Sequence, residues 1–531
     1  MSTGVARQWR EVEIALAGPQ LEEPYLELDL AVDFIHDSGE MLTRPAFWDG
    51  DRTWRVRFAS PRADGIWRWT VRGDATVSPA EGELTAAPAV PGGHPAFEHG
   101  FPTVVPNARA GTYADGSPWL VVGDTAWAIP WRATLPDVAT YAVDRRDKGF
   151  NAVLLMTIQP DMEATGPRGR NLDEGFEVGF TDLPDGRLTQ LNVEYFQYLD
   201  QILAVLVEHG LTPVLQSVFS GFGWKGLSPA GPVVPPADHA RYCRYLVARY
   251  GARPAVYLVG ADGAGTEPQI EAGGQEIHRW DAYAQPTGIH YQPHSTANAH
   301  QAADWLDFQW CQTGHQGDHV PDRVAHLWGN SPAKAIMNAE PTYEETVRPG
   351  NGAGWWQGHE AWSNLCAGGT MGVAYGAGSL WQWRIHADEP GFHPYFLAEG
   401  AGWREALDFS GSTYVGLVGK ILGGLPTTNL QPSWDLCLTT RGLVDPGVLF
   451  VGYAEHGSRW DIRDPDGRVP PDYWLIDPRN GWVVTSGRLP PGGGVIEDDG
   501  TDPRVLVCSA VTPRIAAGLQ AYASKGSVSR G

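Results

Sequence analysis

The stretch from Asn192 to Gln216, NVEYFQYLDQILAVLVEHGLTPVLQ, holds the reading that decides the fold. Its first part, to His209, puts Phe196, Leu199, Ile202, Leu203 and Leu206 on one helical stripe, and Gly210 stops it. Thr212-Pro213-Val214-Leu215-Gln216 then runs apolar without alternation. A parallel strand covered on both faces has that composition, because neither side meets water.

The same rhythm recurs outward from this stretch. Upstream lie Trp119-Leu120-Val121-Val122-Gly123 and Ala152-Val153-Leu154-Leu155-Met156. Downstream lie Ala255-Val256-Tyr257-Leu258-Val259, Ile289-His290-Tyr291, Leu306-Asp307-Phe308-Gln309-Trp310, Ala335-Ile336-Met337-Asn338 and Gly378-Ser379-Leu380-Trp381. Tyr242 to Tyr250 reads as another helix of the series. Eight strand candidates with helices between them, over roughly 300 residues, have the size and rhythm of a (β/α)8 TIM barrel. A doubly wound sheet is the competing architecture, but no GxGxxG or P-loop sequence follows any of these runs.

Both flanks are β. Thr53-Trp54-Arg55-Val56-Arg57-Phe58 and Ile66-Trp67-Arg68-Trp69-Thr70-Val71-Arg72 alternate with period 2, as half-buried antiparallel strands do. Ala63-Asp64-Gly65 between them and Trp48-Asp49-Gly50-Asp51 before them supply hairpin turns. After about Gly423, Val448-Leu449-Phe450-Val451, Tyr473-Trp474-Leu475-Ile476 and Trp482-Val483-Val484 are short strands, the last two joined by Pro478-Arg479-Asn480-Gly481. The organisation expected is therefore multidomain, with a linker between Ala86 and Pro95. Residues 1–92 form an N-terminal β-sandwich, 93–415 a catalytic barrel and 416–531 a C-terminal β-sandwich.

Composition agrees and excludes some functions. A chain of 531 residues exceeds what one core supports. Its formal charge of −23 repels phosphate backbones and anionic membrane surfaces, so neither nucleic acid nor membrane is an expected partner. Five scattered cysteines without CxxC spacing argue against a disulfide framework and a zinc finger. MSTGVARQWREVEIAL carries neither a long apolar run nor a cleavage-site pattern, so the expected location is cytoplasmic.

In a barrel the chemistry gathers where the strands end. The polar residues following the apolar runs are Asp124 and Trp127; Gln159, Asp161 and Glu163; Asp262; Gln292 and His294; Gln312 and His315; Glu340 and Glu344, with Tyr343 between them; and Trp381 and Trp383 along the eighth. Carboxylates and amides hydrogen-bond hydroxyls, and indole rings pack on the C–H faces of sugars. Two carboxylates are the minimum for glycoside hydrolysis. Asp262 and Glu340, from the fourth and seventh runs, approach one mouth from opposing sides, and loop shifts would leave Glu163, Glu267 or Glu344 as substitutes for the acid. The bland readings are a turn cap for Asp262, a solvated or ion-paired Glu340, a helix cap for Asp124, and barrel core for Trp381 and Trp383. His290, His294, His300, His315 and His319 lack HxH or HExxH spacing, so no metal and no cofactor is expected.

These segments, in order, resemble the apiosidase-like glycoside hydrolases, whose barrels look like those of the large retaining clan. The matching pieces are Gly123-Asp124-Thr125-Ala126-Trp127, Arg145-Arg146-Asp147-Lys148-Gly149-Phe150-Asn151, Ala248-Arg249-Tyr250-Gly251, Val259-Gly260-Ala261-Asp262, Gln312-Thr313-Gly314-His315, Asn338-Ala339-Glu340-Pro341-Thr342-Tyr343-Glu344 and Ala374-Tyr375-Gly376-Ala377-Gly378-Ser379-Leu380-Trp381. The flanks resemble the uncharacterised N-terminal sandwich and the collagen-binding-type C-terminal sandwich often fused to such barrels. By this resemblance Asp262 is the acid/base, Glu340 the nucleophile, and the substrate a glycoside or oligosaccharide, with a pentofuranoside such as a β-D-apioside as one glycone. Gly260-Ala261 stands where the family usually has Gly-Gly, and Gln292-Pro293 where it has His-Pro. Both departures fall at the pocket and bear on the glycone. The alternatives are a non-catalytic carbohydrate-binding protein on a TIM-barrel scaffold and a metal-dependent hydrolase using the His-rich loops. Linkage, endo or exo action and homo-oligomerisation through the sandwiches stay open.

Overall fold

A computed structural model describes residues 2–73, 76–162, 178–221, 227–295, 299–314, 321–345, 354–389, 400–437, 440–457, 459–498 and 500–517. The alternating N-terminal segments form two packed sheets. One holds five strands in the order Ser2–Arg7, Glu81–Ala87, Ile66–Val71, Ala31–His36, Met41–Pro45, and the other holds Glu11–Ala17, Thr53–Ala59 and Phe47–Trp48. Their inner faces meet at Phe34 and Phe58, stacked 4.1 Å apart, with Trp54, Trp67 and Trp69 around them. Trp48 pairs with Trp54 across the hairpin that Asp49-Gly50-Asp51 closes. Thr53–Ala59 and Ile66–Val71 form no such hairpin, because each finds its partners in a different sheet. The turn at Ala63-Asp64-Gly65 is thus a crossing between layers.

A small antiparallel sheet, Pro102–Thr103, Gly111–Tyr113 and Pro118–Trp119, leads into a closed parallel barrel. Its strands are β1 (Val121–Thr125), β2 (Ala152–Met156), β3 (Thr212–Gln216), β4 (Val256–Gly263), β5 (Thr287–Tyr291), β6 (Phe308–Gln312), β7 (Ala335–Glu340) and β8 (Gly372–Gly376), with β1 paired to β8. Helices α1 (Leu135–Lys148), α2 (Val193–Glu208), α3 (Pro236–Tyr250), α4 (Pro268–Trp280), α5 (Pro321–Trp328), α6 (Trp356–Cys366) and α7 (Ser410–Leu422) surround it. Among the described residues the β5–β6 connection carries no helix. α2 buries the stripe read from the sequence, is capped by Asn192 and is followed by Gly210 at φ 85°.

The eighth strand lies six residues earlier than its apolar pattern suggested. Gly378–Trp381 is a short helix, and the strand is Gly372–Gly376, whose glycines hide it in a hydropathy reading. Gly372 has φ 149°, and a Cβ there would meet the carbonyl oxygen of Val121 at 2.0 Å, so barrel closure at this seam requires glycine. Helix α7 crosses position 415, and a Cβ at its Gly419 would sit 3.1 Å from Val122 of β1.

The C-terminal sandwich is antiparallel. Six strands run in the order Gln431–Pro432, Arg441–Asp445, Leu449–Ala454, Arg504–Ser509, Asp472–Asp477, Trp482–Arg488, and Arg459–Arg463 pairs with Gly493–Glu497. Asp477 faces Trp482 across the Pro478–Gly481 turn. All five cysteines are buried and free. No helix among the described residues is long and apolar enough to cross a membrane.

The N-terminal sandwich is fastened to the barrel by a buried ion cluster. Asp200 of α2 accepts from Arg57 of the sandwich at 2.6 Å and from Arg249 of α3 at 2.7 Å, and Arg249 also meets Asp49 at 2.9 Å. Burial alone would raise the Asp200 carboxyl, but the two guanidinia overcome it and hold it at about 2. A carboxyl depressed on folding adds stability that is complete above its unfolded value, about 3.9, and is lost as pH falls through the folded one. Asp200→Asn is therefore expected to cost about 3–5 kcal/mol by leaving two buried guanidinia underpaired. Thermal melts across pH should show the wild-type midpoint falling between about pH 4 and 2 through this group, and the variant lacking that step.

Candidate active site

The ends of β4, β5, β6 and β7 build the site. Strand β4 does not end regularly. Its register with β5 shifts twice, between Leu258 and Ala261 and between Ala261 and Gly263, and Asp262 sits at φ 56°. A bulge at a strand end re-aims one side chain out of the pleat, and a non-glycine residue in the left-handed region carries strain that surrounding packing must hold. Gly221 makes room for it, since a Cβ there would lie 2.4 Å from that of Asp262. Asp262 is 7% exposed, and its Oδ1 accepts a hydrogen bond from the Gln312 amide at the end of β6.

Glu340 is the last residue of β7, buried, and register-paired with Gln312. Gln312 thus links the two carboxylates, being the strand neighbour of one and the hydrogen-bond donor of the other. On its other side Glu340 Oε2 lies 3.4 Å from His290 Nε2 of β5. The His290 ring is stacked with Trp127, 5.9 Å between centroids and 30° between planes. Tyr343, buried three residues beyond Glu340, has its hydroxyl against Thr125 and Trp127. Burial and then the Glu340 charge push that phenol well above its ordinary value, so it remains a neutral hydroxyl.

The loops that carry these groups are held from beneath. Glu360 of α6, wholly buried, accepts from Thr313 Oγ1 at 2.6 Å and from the backbone N–H of Thr342 at 3.0 Å. Asn338 Nδ2 donates to the same Thr313 hydroxyl at 2.9 Å. One helix carboxylate therefore ties the residue after Gln312 to the segment between Glu340 and Tyr343.

Of the residues singled out from the sequence, Asp262, Glu340, Gln312, Tyr343 and Trp127 come together here. The carbonyl of half-buried Trp381 accepts from the N–H of Ala128, which ties the backbone after β8 to the Trp127 loop. Gln159 follows β2, is 1% exposed, and among the described residues neither atom of its amide has a partner. Gln292 and His294 are exposed on the loop after β5, tied by their backbone N–H groups to Gly263 and Gln312. His315, Glu163 and His319 lie outside the described residues.

Asp124, Glu344 and Trp383 are placed elsewhere. Asp124 is on β1 itself, and with Val122 it faces the helix layer, where Oδ2 accepts from Arg145 Nε at 2.6 Å and Tyr141 Oη at 2.7 Å. Burial works against the Arg145 charge, and the Asp124 carboxylate more than offsets it, so Arg145 stays protonated. Glu344 accepts from Tyr375 Oη at 2.8 Å and from the Gly411 N–H at 3.0 Å, anchoring the N-terminus of α7. Trp383 is fully buried, stacked 4.4 Å from Trp403 and edge-on to Tyr141. These three serve the barrel wall.

Two contributors escaped the sequence reading. His290 reads from the sequence as one of five histidines without metal spacing, satisfied or in contact with substrate, and nothing local to it announces Glu340 as its neighbour. Glu360 gave no signal, because a lone glutamate in a helix reads as a solvated face.

This barrel with its paired strand-end carboxylates matches the family model described as the apiosidase-like catalytic domain over residues 106–429, more than half of the chain. The chain belongs to this family of glycoside hydrolases. Residues 5–74 match a domain of unknown function, DUF5060, which covers most of the N-terminal sandwich. Among solved structures the chain is similar to a glycoside hydrolase family 5 protein from Bacteroides vulgatus, with 18% identity, TM-score 0.65, 79% of this chain and 95% of that one covered. A second structure from that organism, described as a candidate glycoside hydrolase, shares 16% identity at TM-score 0.68, with 96% and 100% covered. At these identities the likeness is one of fold. No curated protein matches the chain. At the position where this barrel departs from Gly-Gly, a Cβ at Gly260 would meet Ile270 at 2.3 Å, so glycine is required there, while the neighbouring Ala261 is buried.

Proposed function

We propose that this protein hydrolyses a glycosidic bond with retention of configuration, using Glu340 as nucleophile and Asp262 as acid and then base. The observation that carries the reading is the Asp262–Gln312–Glu340 arrangement, with two buried carboxylates brought to one mouth from β4 and β7. In the first step a Glu340 oxygen attacks the anomeric carbon while protonated Asp262 gives its proton to the leaving oxygen. In the second, the Asp262 carboxylate takes a proton from water, the resulting oxygen attacks the glycosyl–enzyme ester, and Glu340 leaves as carboxylate. Retention requires the carboxyl groups about 5–5.5 Å apart, and the strand end that neighbours Glu340 also carries the glutamine that binds Asp262, which supports that close spacing.

His290, 3.4 Å from Glu340 Oε2, would hold the nucleophile in its attacking orientation, and Tyr343, kept as a neutral hydroxyl, would add no second negative charge beside it. Trp127 and Trp381 would pack on sugar C–H faces, and the Gln159 amide, without a partner among the described residues, suits a hydroxyl, which supplies both a donor and an acceptor. A pentofuranoside such as a β-D-apioside is the glycone that family membership favours, and the exposed Gln292 in place of histidine leaves room for others.

The test is release of aryl leaving groups from a panel of pentosides and hexosides, furanosides and pyranosides alike. Wild-type turnover on one of them is expected, and Asp262→Asn should lower it by about 10²–10⁴-fold. The loss should be smallest with nitrophenolate-like leaving groups, which depart without a proton. Undiminished turnover in Asp262→Asn on an alkyl glycoside would remove the acid from the mechanism.

A further inference from the structure

A cavity of about 600 Å³ lies away from the barrel mouth, between α6 and the C-terminal sandwich. Its floor is built. Tyr453 Oη meets Trp355 Nε1 at 3.1 Å and His359 Nδ1 at 2.9 Å, which locks barrel helix to sandwich strand. Its wall is an indole and a guanidinium. Trp434 is 45% exposed, and Arg441 lies over its ring with Cζ 4.9 Å from the centroid. Arg441 gives Nη2 to Asp322 at 2.8 Å, while its buried Nη1 has no partner among the described residues. Glu455 and His456 stand exposed at the rim. None of the residues gathered around Glu340 lines this space.

An indole plate beside a fork of donors and a carboxylate acceptor is what a sugar ring needs. The ring's C–H face packs on the indole, and adjacent hydroxyls bridge donor and acceptor. The cavity lies within the range of small-ligand sites, about 300–1,000 Å³. Charge narrows the class. Arg441 is already matched by Asp322, and Glu455 adds a further negative charge, so an anionic sugar finds no net attraction.

We infer that this cavity is a second saccharide site, distinct from the barrel mouth, that takes a neutral sugar unit on Trp434 and Arg441. The choice of a sugar rests on the glycoside hydrolase reading above. Such a site would hold a longer substrate on the enzyme while the mouth works on another part of it, raising the local concentration of the reacting bond.

Calorimetry on Glu340→Gln protein, with tetrasaccharides of β-1,4-linked glucose, mannose and xylose and of α-1,4-linked galacturonic acid, tests this. At least one neutral probe should bind, and Trp434→Ala or Arg441→Met in that background should weaken it by about tenfold or more. In the otherwise wild-type enzyme Trp434→Ala should leave kcat/KM on an aryl monoglycoside unchanged, which also reports an intact fold. Binding of no neutral probe, binding indifferent to both variants, or preference for the galacturonide would overturn the inference. Aryl glycoside hydrolysis by the same preparations keeps the two readings apart. Turnover without Trp434-dependent binding overturns this site alone, whereas Trp434-dependent binding without turnover overturns the catalytic proposal alone.

Discussion

Replacing Glu340 by Gln is expected to lower turnover by about 10⁴-fold or more while leaving the fold intact. The substitution is isosteric, so the packing at the end of β7 and the contact with His290, 3.4 Å away, survive. What disappears is the oxygen able to form a glycosyl ester. Two readouts separate loss of the nucleophile from loss of structure. The thermal midpoint should stay within a degree or so of wild type. Added azide should restore turnover to the truncated Glu340→Gly variant and give a glycosyl azide of inverted configuration, because a small anion fits the space the carboxylate has vacated. Azide has no route to rescue a misfolded barrel. Full activity of Glu340→Gln on a true substrate would refute the assignment.

The second large effect falls on stability. Asp124 and Arg145 form a wholly buried pair between β1 and α1, with Tyr141 donating to the same carboxylate oxygen. Asp124→Asn leaves the Arg145 guanidinium in the barrel wall without a counter-charge beyond Asp144, and the expected cost is about 3–5 kcal/mol. An apolar pair of similar volume, Asp124→Leu with Arg145→Met, should recover most of that loss, since it removes both desolvation penalties at once. Whatever Asp124→Asn protein remains folded should keep the wild-type kcat/KM, because the carboxylate faces the helices. Thermal melts and kinetics on the soluble fraction check both halves. A stable variant with a raised KM would return Asp124 to the substrate.

The fate of Asp124 shows where sequence reading stops in this fold. Strands buried on both faces carry apolar residues throughout, so the pattern that announces a parallel barrel also erases the alternation that says which way each side chain points. Asp124 and Gln312 look equivalent as polar residues at the ends of apolar runs, yet one faces α1 and the other faces Asp262. The eighth strand was misplaced for a related reason. Gly372–Gly376 owes its position to close backbone approach, which hydropathy does not register, while the more apolar Gly378–Trp381 folds as a helical turn.

What local pattern did carry was the number of strands, the α2 stripe, the flanking sandwiches and the two carboxylates that end β4 and β7. Pairing partners were invisible, because the alternation in Thr53–Ala59 and Ile66–Val71 is equally compatible with one hairpin or two sheets. His290 and Glu360 act through neighbours more than 18 residues distant along the chain or on another element, Glu340 for the first and Thr313 for the second. Such contacts exist only once the barrel closes.

In the double displacement proposed above, Glu340 becomes covalently attached to the sugar. The direct measurement is mass spectrometry of the protein after incubation with a 2-deoxy-2-fluoro aryl glycoside of whichever glycone the screen shows to be turned over. The fluorine slows both steps, and the good leaving group lets the first proceed, so the intermediate accumulates. One glycosyl unit per chain is expected, on the peptide containing Glu340, with activity returning as the adduct hydrolyses. A label on another residue, or time-dependent turnover with inverted product and no label at all, would contradict it.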